Sequence, residues 1–206
     1  MDRQKYLQNP SRASSLSFWK MNHMQVPDNI RIFTDETLPR PLPAGYEDEP
    51  YFKMVHHLGR VADCALDHPL IFREAAVEEY ANHINACYDC ERISTEELLT
   101  YRARPVYDAS LWLSIYDTAN GRLAASGIAE YDSGIGEGSL EWIQVSPEYR
   151  RLGLGREMVN ALLRRLKGRA AFVTVSGRLN HTDKPERLYE ACGFQDKTIW
   201  HVLKRK

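Results

Sequence analysis

A change of period in the second half of the chain limits the folds open to it. From Ala109 the apolar residues Leu111, Leu113 and Ile115 interleave with Trp112, Ser114 and Tyr116, the two-residue period of a strand. Asn120-Gly121 follows, a dipeptide suited to a type I′ hairpin turn, in which both central residues need positive φ. The return strand is predicted over about 123–131, Gly134, Gly136 and Gly138 punctuate the next turn, and Ser139 to Val145 makes a third strand. This is an antiparallel meander. Directly after it, Leu154, Met158, Leu162 and Leu166 recur at helical spacing from about 153 to 167, and Gly168 closes the helix. A buried strand (170–175) comes next. Asp183 and Glu186 then form a capping-box-like pair around Pro185 and open a helix to about Cys192, which Gly193 ends. Ile199–Leu203 is a last strand.

The first half reads less regularly. Residues 1–27 are polar, hold Pro10 and Pro27, and sustain no period, with Phe18 and Trp19 as the apolar exceptions that dock this arm. Asn29–Phe33 alternates as a short strand. Residues 37–46 carry three prolines and Gly45 and form a loop. Asp48, Glu49 and Pro50 look like a helix start, and Tyr51, Val55, Leu58, Ala62 and Ala65 follow at helical spacing. A second helix is predicted over about 73–86, with Ala76, Tyr80 and Ile84 on one face, and a short third near Glu96–Tyr101. The order of elements is strand, two helices, three-strand meander, helix, strand, helix, strand.

Length and composition exclude several classes. At 206 residues the chain suits one domain with an elaborated terminus. Apolar residues at 43% and charged residues at 27% argue against wholesale disorder. No apolar run approaches the ~18 residues of a membrane span, and the first twenty residues show no apolar secretory segment. Four cysteines in this length do not make a disulfide framework, so a cytoplasmic protein with reduced thiols is expected.

The net charge of −1 conceals an asymmetry. Residues 1–147 hold 13 Lys and Arg against 22 Asp and Glu (−9), and residues 148–206 hold 14 against 6 (+8). A basic third suggests a polyanionic ligand, either a phosphorylated small molecule or nucleic acid. The segment Val145 to Arg156 sharpens this. It runs Val-Ser-Pro-Glu-Tyr-Arg-Arg-Leu-Gly-Leu-Gly-Arg and joins a strand to a helix through Arg150-x-x-Gly153-x-Gly155. Glycines let a ligand approach backbone amides, and the unpaired N–H groups of a helix start attract an anion. Arg150, Arg151 and Arg156 add charge. A dinucleotide fingerprint would need Gly or Ala where Met158 stands, and the Gly-x-x-x-x-Gly-Lys-Ser/Thr phosphate loop is absent.

This stretch resembles motif A of the GCN5-related N-acetyltransferases (GNAT), with its Gln/Arg-x-x-Gly-x-Gly/Ala signature. The run Asn180…Leu188-Tyr189-Glu190-Ala191-Cys192-Gly193-Phe194 resembles that family's later motif. The resemblance covers about 28–206 and is strongest over 139–194. It implies an α/β (α+β) fold with a mixed, mostly antiparallel sheet flanked by helices. Residues 1–27 would be an N-terminal arm and 28–206 the N-acetyltransferase domain. It implies acetyl-CoA as co-substrate and no metal. The pyrophosphate would sit on the amides of the loop Arg150, Arg151, Leu152, Gly153, Leu154, Gly155 and Arg156. The Val145 amide would stabilise the oxyanion of the thioester, Asn180 would contact the pantetheine arm, and Tyr189 would protonate the leaving thiolate. Family members often take the amine's proton with a strand carboxylate. Glu141 is the first candidate, followed by Glu130 and Glu137, with His56 or His57 as another base. The implied function is direct acetyl transfer to a primary amine, small-molecule or peptide. The alternative is a non-catalytic acyl-CoA sensor or interaction domain.

Other features carry blander readings. Cys87-Tyr-Asp-Cys90 with His83 one turn before lacks a second pair to complete a zinc site, so buried thiols are the default. Nucleic-acid binding lacks interleaved aromatics or a groove-reading motif. Glu47, Asp48 and Glu49 suggest a cationic acceptor near Glu47–Leu58. A homodimer and no membrane partner complete the expectations.

Overall fold

The computed structural model describes residues 1–89, 91–179 and 184–206. The chain divides into two compact units, one joining residues 1–57 to 174–206 and the other spanning 58–173.

In the first unit, β8 (Gln195–Arg205) lies between β1 (Ile30–Thr34) and β2 (Tyr46–His56) and is antiparallel to both, with Ile32 opposite Val202 and Phe52 opposite Ile199. The strand β7 (Phe172–Arg178) enters this unit at Thr174 and neighbours β2. The helix expected from Asp48 is thus corrected to a strand, and His56 ends that strand. The carboxylates and Pro50 that imitate a helix start face β8 instead. Glu49 reaches Lys204 at 2.8 Å and Arg178 at 3.5 Å, Asp48 holds His201 at 2.7 Å, and Glu47 lies 4.0 Å from Lys206. Asp48 and Glu49 are therefore engaged by basic side chains of their own unit. The alternation was hidden because Phe52, Lys53, Met54, Val55 and His56 are all buried, on both faces.

The N-terminal arm carries α1 (Arg3–Gln8), α2 (Pro10–Ala13) and α3 (Phe18–His23). Each is four to six residues long, too short to display a 3.6-residue period. Capping defines the first two instead: Asp2 accepts from the Lys5 amide and Asn9 from the Arg12 amide. Lys53 anchors the arm. Its buried ammonium donates to the Tyr6 hydroxyl and the Ser14 carbonyl at 3.0 Å and to the Leu16 carbonyl at 2.6 Å. A buried ammonium must be hydrogen-bonded, and this one draws the arm around itself.

In the second unit, β6 (Glu137–Val145), β5 (Arg122–Asp132), β4 (Trp112–Asp117) and β3 (Leu70–Phe72) follow in spatial order, each antiparallel to the next. The meander expected from the alternation is present, joined by the short β3. The hairpin turn differs from expectation. Of its residues only Gly121 has positive φ (73°), and its amide donates to the Asp117 carbonyl at 2.8 Å. The loop is therefore four residues long, and Asn120 keeps negative φ while its side chain bonds Asp117 and Tyr149.

Helices cover the meander on both faces. Adjacent strand residues point oppositely. Gly127 of β5 faces α6 (Leu154–Leu166), so closely that a Cβ there would lie 2.7 Å from Met158 Cγ. Ile128 faces the other way and packs with Tyr80, Ala81 and Ile84 of α4 (Val77–Cys87) and Leu98 of α5 (Thr95–Arg102). Leu154, Met158, Leu162 and Leu166 are all buried, as their spacing predicts.

Candidate active site

The loop between β6 and α6 starts from Val145. The Ser146 amide donates back to the Ala124 carbonyl of β5 at 2.9 Å. Amides alternate in direction along a strand, so the Val145 N–H points to the side of β6 away from β5. The Val145 carbonyl accepts from Arg150 Nε at 3.3 Å, and the same guanidinium reaches the Cys87 carbonyl at 3.2 Å. Arg150 is thus a structural brace of the loop as well as a charge beside it.

Two residues in the left-handed region shape the turn into the helix. Arg151 has φ 68° and Gly153 has φ 84°, ψ −4° as the N-cap of α6. Glycine removes the Cβ penalty at the cap, whereas Arg151 adopts the same region at a cost, as residues at functional turns often do. The Arg156 and Glu157 amides bond the Gly153 carbonyl at 2.9 and 3.1 Å. The amides of Leu152, Gly153, Leu154 and Gly155 donate to no protein acceptor among the described residues. A Cβ built at Gly153 would meet nothing within 4 Å, and Leu152 is 64% exposed. The loop therefore offers an open row of N–H donors at the positive end of a 13-residue helix, an arrangement that favours negative charge. Many of the basic residues after position 148 are engaged elsewhere: Arg164 with Asp63, Arg169 with Asp108 and Lys197 with Glu190. Arg151 has no ion-pair partner among the described residues.

The carboxylate candidates divide by environment. Ile128 pairs with Trp142 but Ala129 with Leu140, so Glu141 is the extra residue of a β-bulge in β6. It is partly exposed and accepts from the Ser139 hydroxyl at 2.6 Å. Glu130 is 3% exposed and ion-paired with Arg104 at 2.7 Å, and Glu137 is 1% exposed. Of the three, Glu141 is the most exposed.

Tyr189 lies in the first unit on α7 (Glu186–Ala191), whose N-cap is Pro185. It is buried, with its ring 5.9 Å from Phe52 and 5.6 Å from Phe194, the latter edge-on. The Phe194 ring in turn lies 5.2 Å from His56. His57 pairs with Asp196 at 3.2 Å on the surface. Cys192 is buried. Asn180 and Asp183, and Cys90 of the Cys-x-x-Cys run, lie outside the described residues. Burial pushes the Cys87 and Cys64 thiols up to about 11, which holds both protonated. Among the described residues no group of three or more His, Cys, Asp or Glu is placed to hold a metal ion, and no helix is long and apolar enough to cross a membrane.

One cluster was not foreseen. His83 of α4 is buried between Ser126 and Ser146, with Nδ1 2.7 Å from the Ser126 hydroxyl and Nε2 2.8 Å from the Ser146 hydroxyl. Burial is the main cause that lowers its pKa to about 4, against a smaller opposing pull from Glu148. It is neutral at pH 7. The available signal is Ser126 and Gln144 at buried positions of apolar strands, with buried Ser146 directly after the second.

These features give a mixed α/β fold with a glycine-turned strand–loop–helix step, and its architecture matches the GNAT fold. Residues 108–196 match the acetyltransferase (GNAT) domain family. The chain is similar in structure to a GCN5-related N-acetyltransferase from Sphaerobacter thermophilus, with TM-score 0.62 at 19% identity over 79% of this chain and 53% of that one. It is also similar to a protein assigned to the GNAT acetyltransferase family from Novosphingobium aromaticivorans (TM-score 0.57, 16% identity, 92% and 81%). A third likeness is to the ribosomal-protein-S18-alanine N-acetyltransferase of Escherichia coli (0.50, 19%, 66% and 92%). At these identities the likeness is one of fold. The chain spans about half the length of the first solved structures it matches. No curated protein matches its sequence.

Proposed function

We propose that the chain transfers an acetyl group from acetyl-CoA directly to a primary amine, of a small molecule or a peptide, in the cytoplasm. The observation that carries this reading is the left-handed Gly153 cap. It opens α6 with four uncommitted amides, immediately after a strand whose last amide, at Val145, points away from β5. An anion-binding loop one turn from an outward amide suits a ligand that is a pyrophosphate at one end and a thioester further along.

Acetyl-CoA supplies an activated acyl group, and the residues supply position and protons. The amides of Leu152 to Gly155 and the guanidinium of Arg151 hold the pyrophosphate, with Arg156 beside them. The Val145 N–H donates to the thioester oxygen as it gains negative charge, which lowers the barrier because the donor is already oriented. Glu141 takes the proton of the attacking amine, directly or through water. Tyr189 gives its phenolic proton to the sulfur as the carbon–sulfur bond breaks. Asn180 is proposed to bind the pantetheine arm.

The experiment is acetyl-CoA consumption followed by thiol release over a panel of primary amines. Amine-dependent thiol release supports the proposal. Saturable acetyl-CoA binding with no thiol released by any amine would move the chain to the acyl-CoA sensor class, and absence of binding would dismiss both.

A further inference from the structure

The buried histidine outside this mechanism lies at the centre of a hydrogen-bond chain whose protons can all be assigned. The Ser146 hydroxyl donates to the Leu123 carbonyl at 2.7 Å, so it accepts from His83 Nε2–H at 2.8 Å. His83 Nδ1 then carries a lone pair and accepts from the Ser126 hydroxyl at 2.7 Å. The Ser126 oxygen in turn accepts from Gln144 Nε2. Each hydroxyl donates once and accepts once, and the imidazole is fixed as the Nε2–H tautomer.

The two ends of this chain are Gln144 and Ser146, the residues on either side of Val145. Both point to the face of β6 opposite the Val145 side chain. The peptide groups that flank Val145 are therefore held from α4 and from β5, through side chains, in addition to the ladder bond from the Ser146 amide. A strand end is where a ladder would otherwise fray.

We infer that His83 is a positioning residue, which holds the Val145 amide in the orientation that acyl transfer requires by tying Gln144 and Ser146 down on both sides of it. The inference rests on the acetyltransferase reading for the role of Val145, and on geometry alone for the tie. Loss of the tie loosens a donor that must be placed to within a fraction of an ångström, and such misplacement costs about 10–100-fold in turnover.

Two variants test it. His83→Leu fills the space and removes both hydrogen bonds. His83→Gln keeps a donor near the Nε2 position and can still reach Ser146. The expected result has three parts. His83→Leu remains folded, loses about 10–100-fold in kcat and keeps its Kd for acetyl-CoA within about twofold, because the loop from Arg151 to Gly155 is untouched. His83→Gln recovers most of the turnover. The Val145 amide resonance shifts and exchanges faster in His83→Leu than in His83→Gln. Wild-type turnover in folded His83→Leu, or an unmoved Val145 resonance, would overturn the inference while leaving the acetyltransferase reading intact. A wild-type protein without turnover would dismiss that reading, and the resonance would still decide the tie.

Discussion

Lowering the pH from 7.5 to 4.5 should weaken the fold through His83 by an amount the structure allows to be worked out. In the unfolded chain the imidazole takes up its proton near the ordinary value of 6.5, whereas in the folded chain burial holds it to about 4. Between those values the unfolded state binds more protons than the native state, so stability falls as the pH falls. That difference corresponds to about 3 kcal/mol, most of which is lost by pH 4.5. That is a large share of the ~5–15 kcal/mol typical of a domain. His201 acts in the opposite sense. Burial disfavours its charge, but hydrogen bonds to Asp35 and Asp48 prevail and raise its pKa. Its contribution is complete below about pH 6.5 and is lost as the pH rises through the folded value. The assay is urea unfolding at pH 7.5 and 4.5 for the wild type and for His83→Leu. His201 and the carboxylates cancel in the difference between the two proteins. The variant is expected to lose about 2 kcal/mol less than the wild type over this interval. Equal losses would refute a buried, neutral His83 at the core of the hydrogen-bond chain.

Other perturbations follow from specific contacts. Gly127→Val places its Cβ against Met158 and Ile143 and should destabilise the protein by about 1–3 kcal/mol in the same unfolding assay. Lys53→Ala removes the three bonds that hold the arm, and limited trypsin digestion should then cleave at Arg12 and Lys20 much faster than in the wild type. Tyr189→Phe keeps the ring packing against Phe52 and Phe194, so the variant should fold. Turnover should fall at least tenfold with acetyl-CoA binding retained, as general-acid contributions of ~10²–10⁴ imply.

The parts of the fold legible in the sequence are those where one face is buried and the other is not. The meander and α6 are of this kind, and their boundaries lie within a few residues of expectation. β2 reads as a helix in the sequence because its buried half is apolar on both faces and because Lys53, polar by identity, is buried for the arm. The arm itself is built from caps and a single buried ammonium, neither of which produces a period. The three-residue β3 is too short to show an alternation. The candidate site divides in the same way. The glycine-punctuated step from β6 to α6 is local in the chain and so was visible. The His83 chain joins residues 43 to 63 positions apart, and only the fold brings them together. The bulge at Glu141 is likewise a property of strand pairing, invisible in β6 alone.

Binding of acetyl-CoA to the loop from Arg151 to Gly155 can be measured by thermal unfolding of the wild type and of Gly155→Glu, with and without acetyl-CoA at about 100 times its Kd. An acidic residue in the first turn favours the helix itself but opposes an anionic ligand there, so the variant should fold. Saturation at that concentration adds about 2.7 kcal/mol, a rise of very roughly 5–10 °C for a chain of this size. A shift of that order in the wild type and none in folded Gly155→Glu is the predicted result. No shift in the wild type, or the same shift in both, would contradict the assignment of the loop as the acetyl-CoA site.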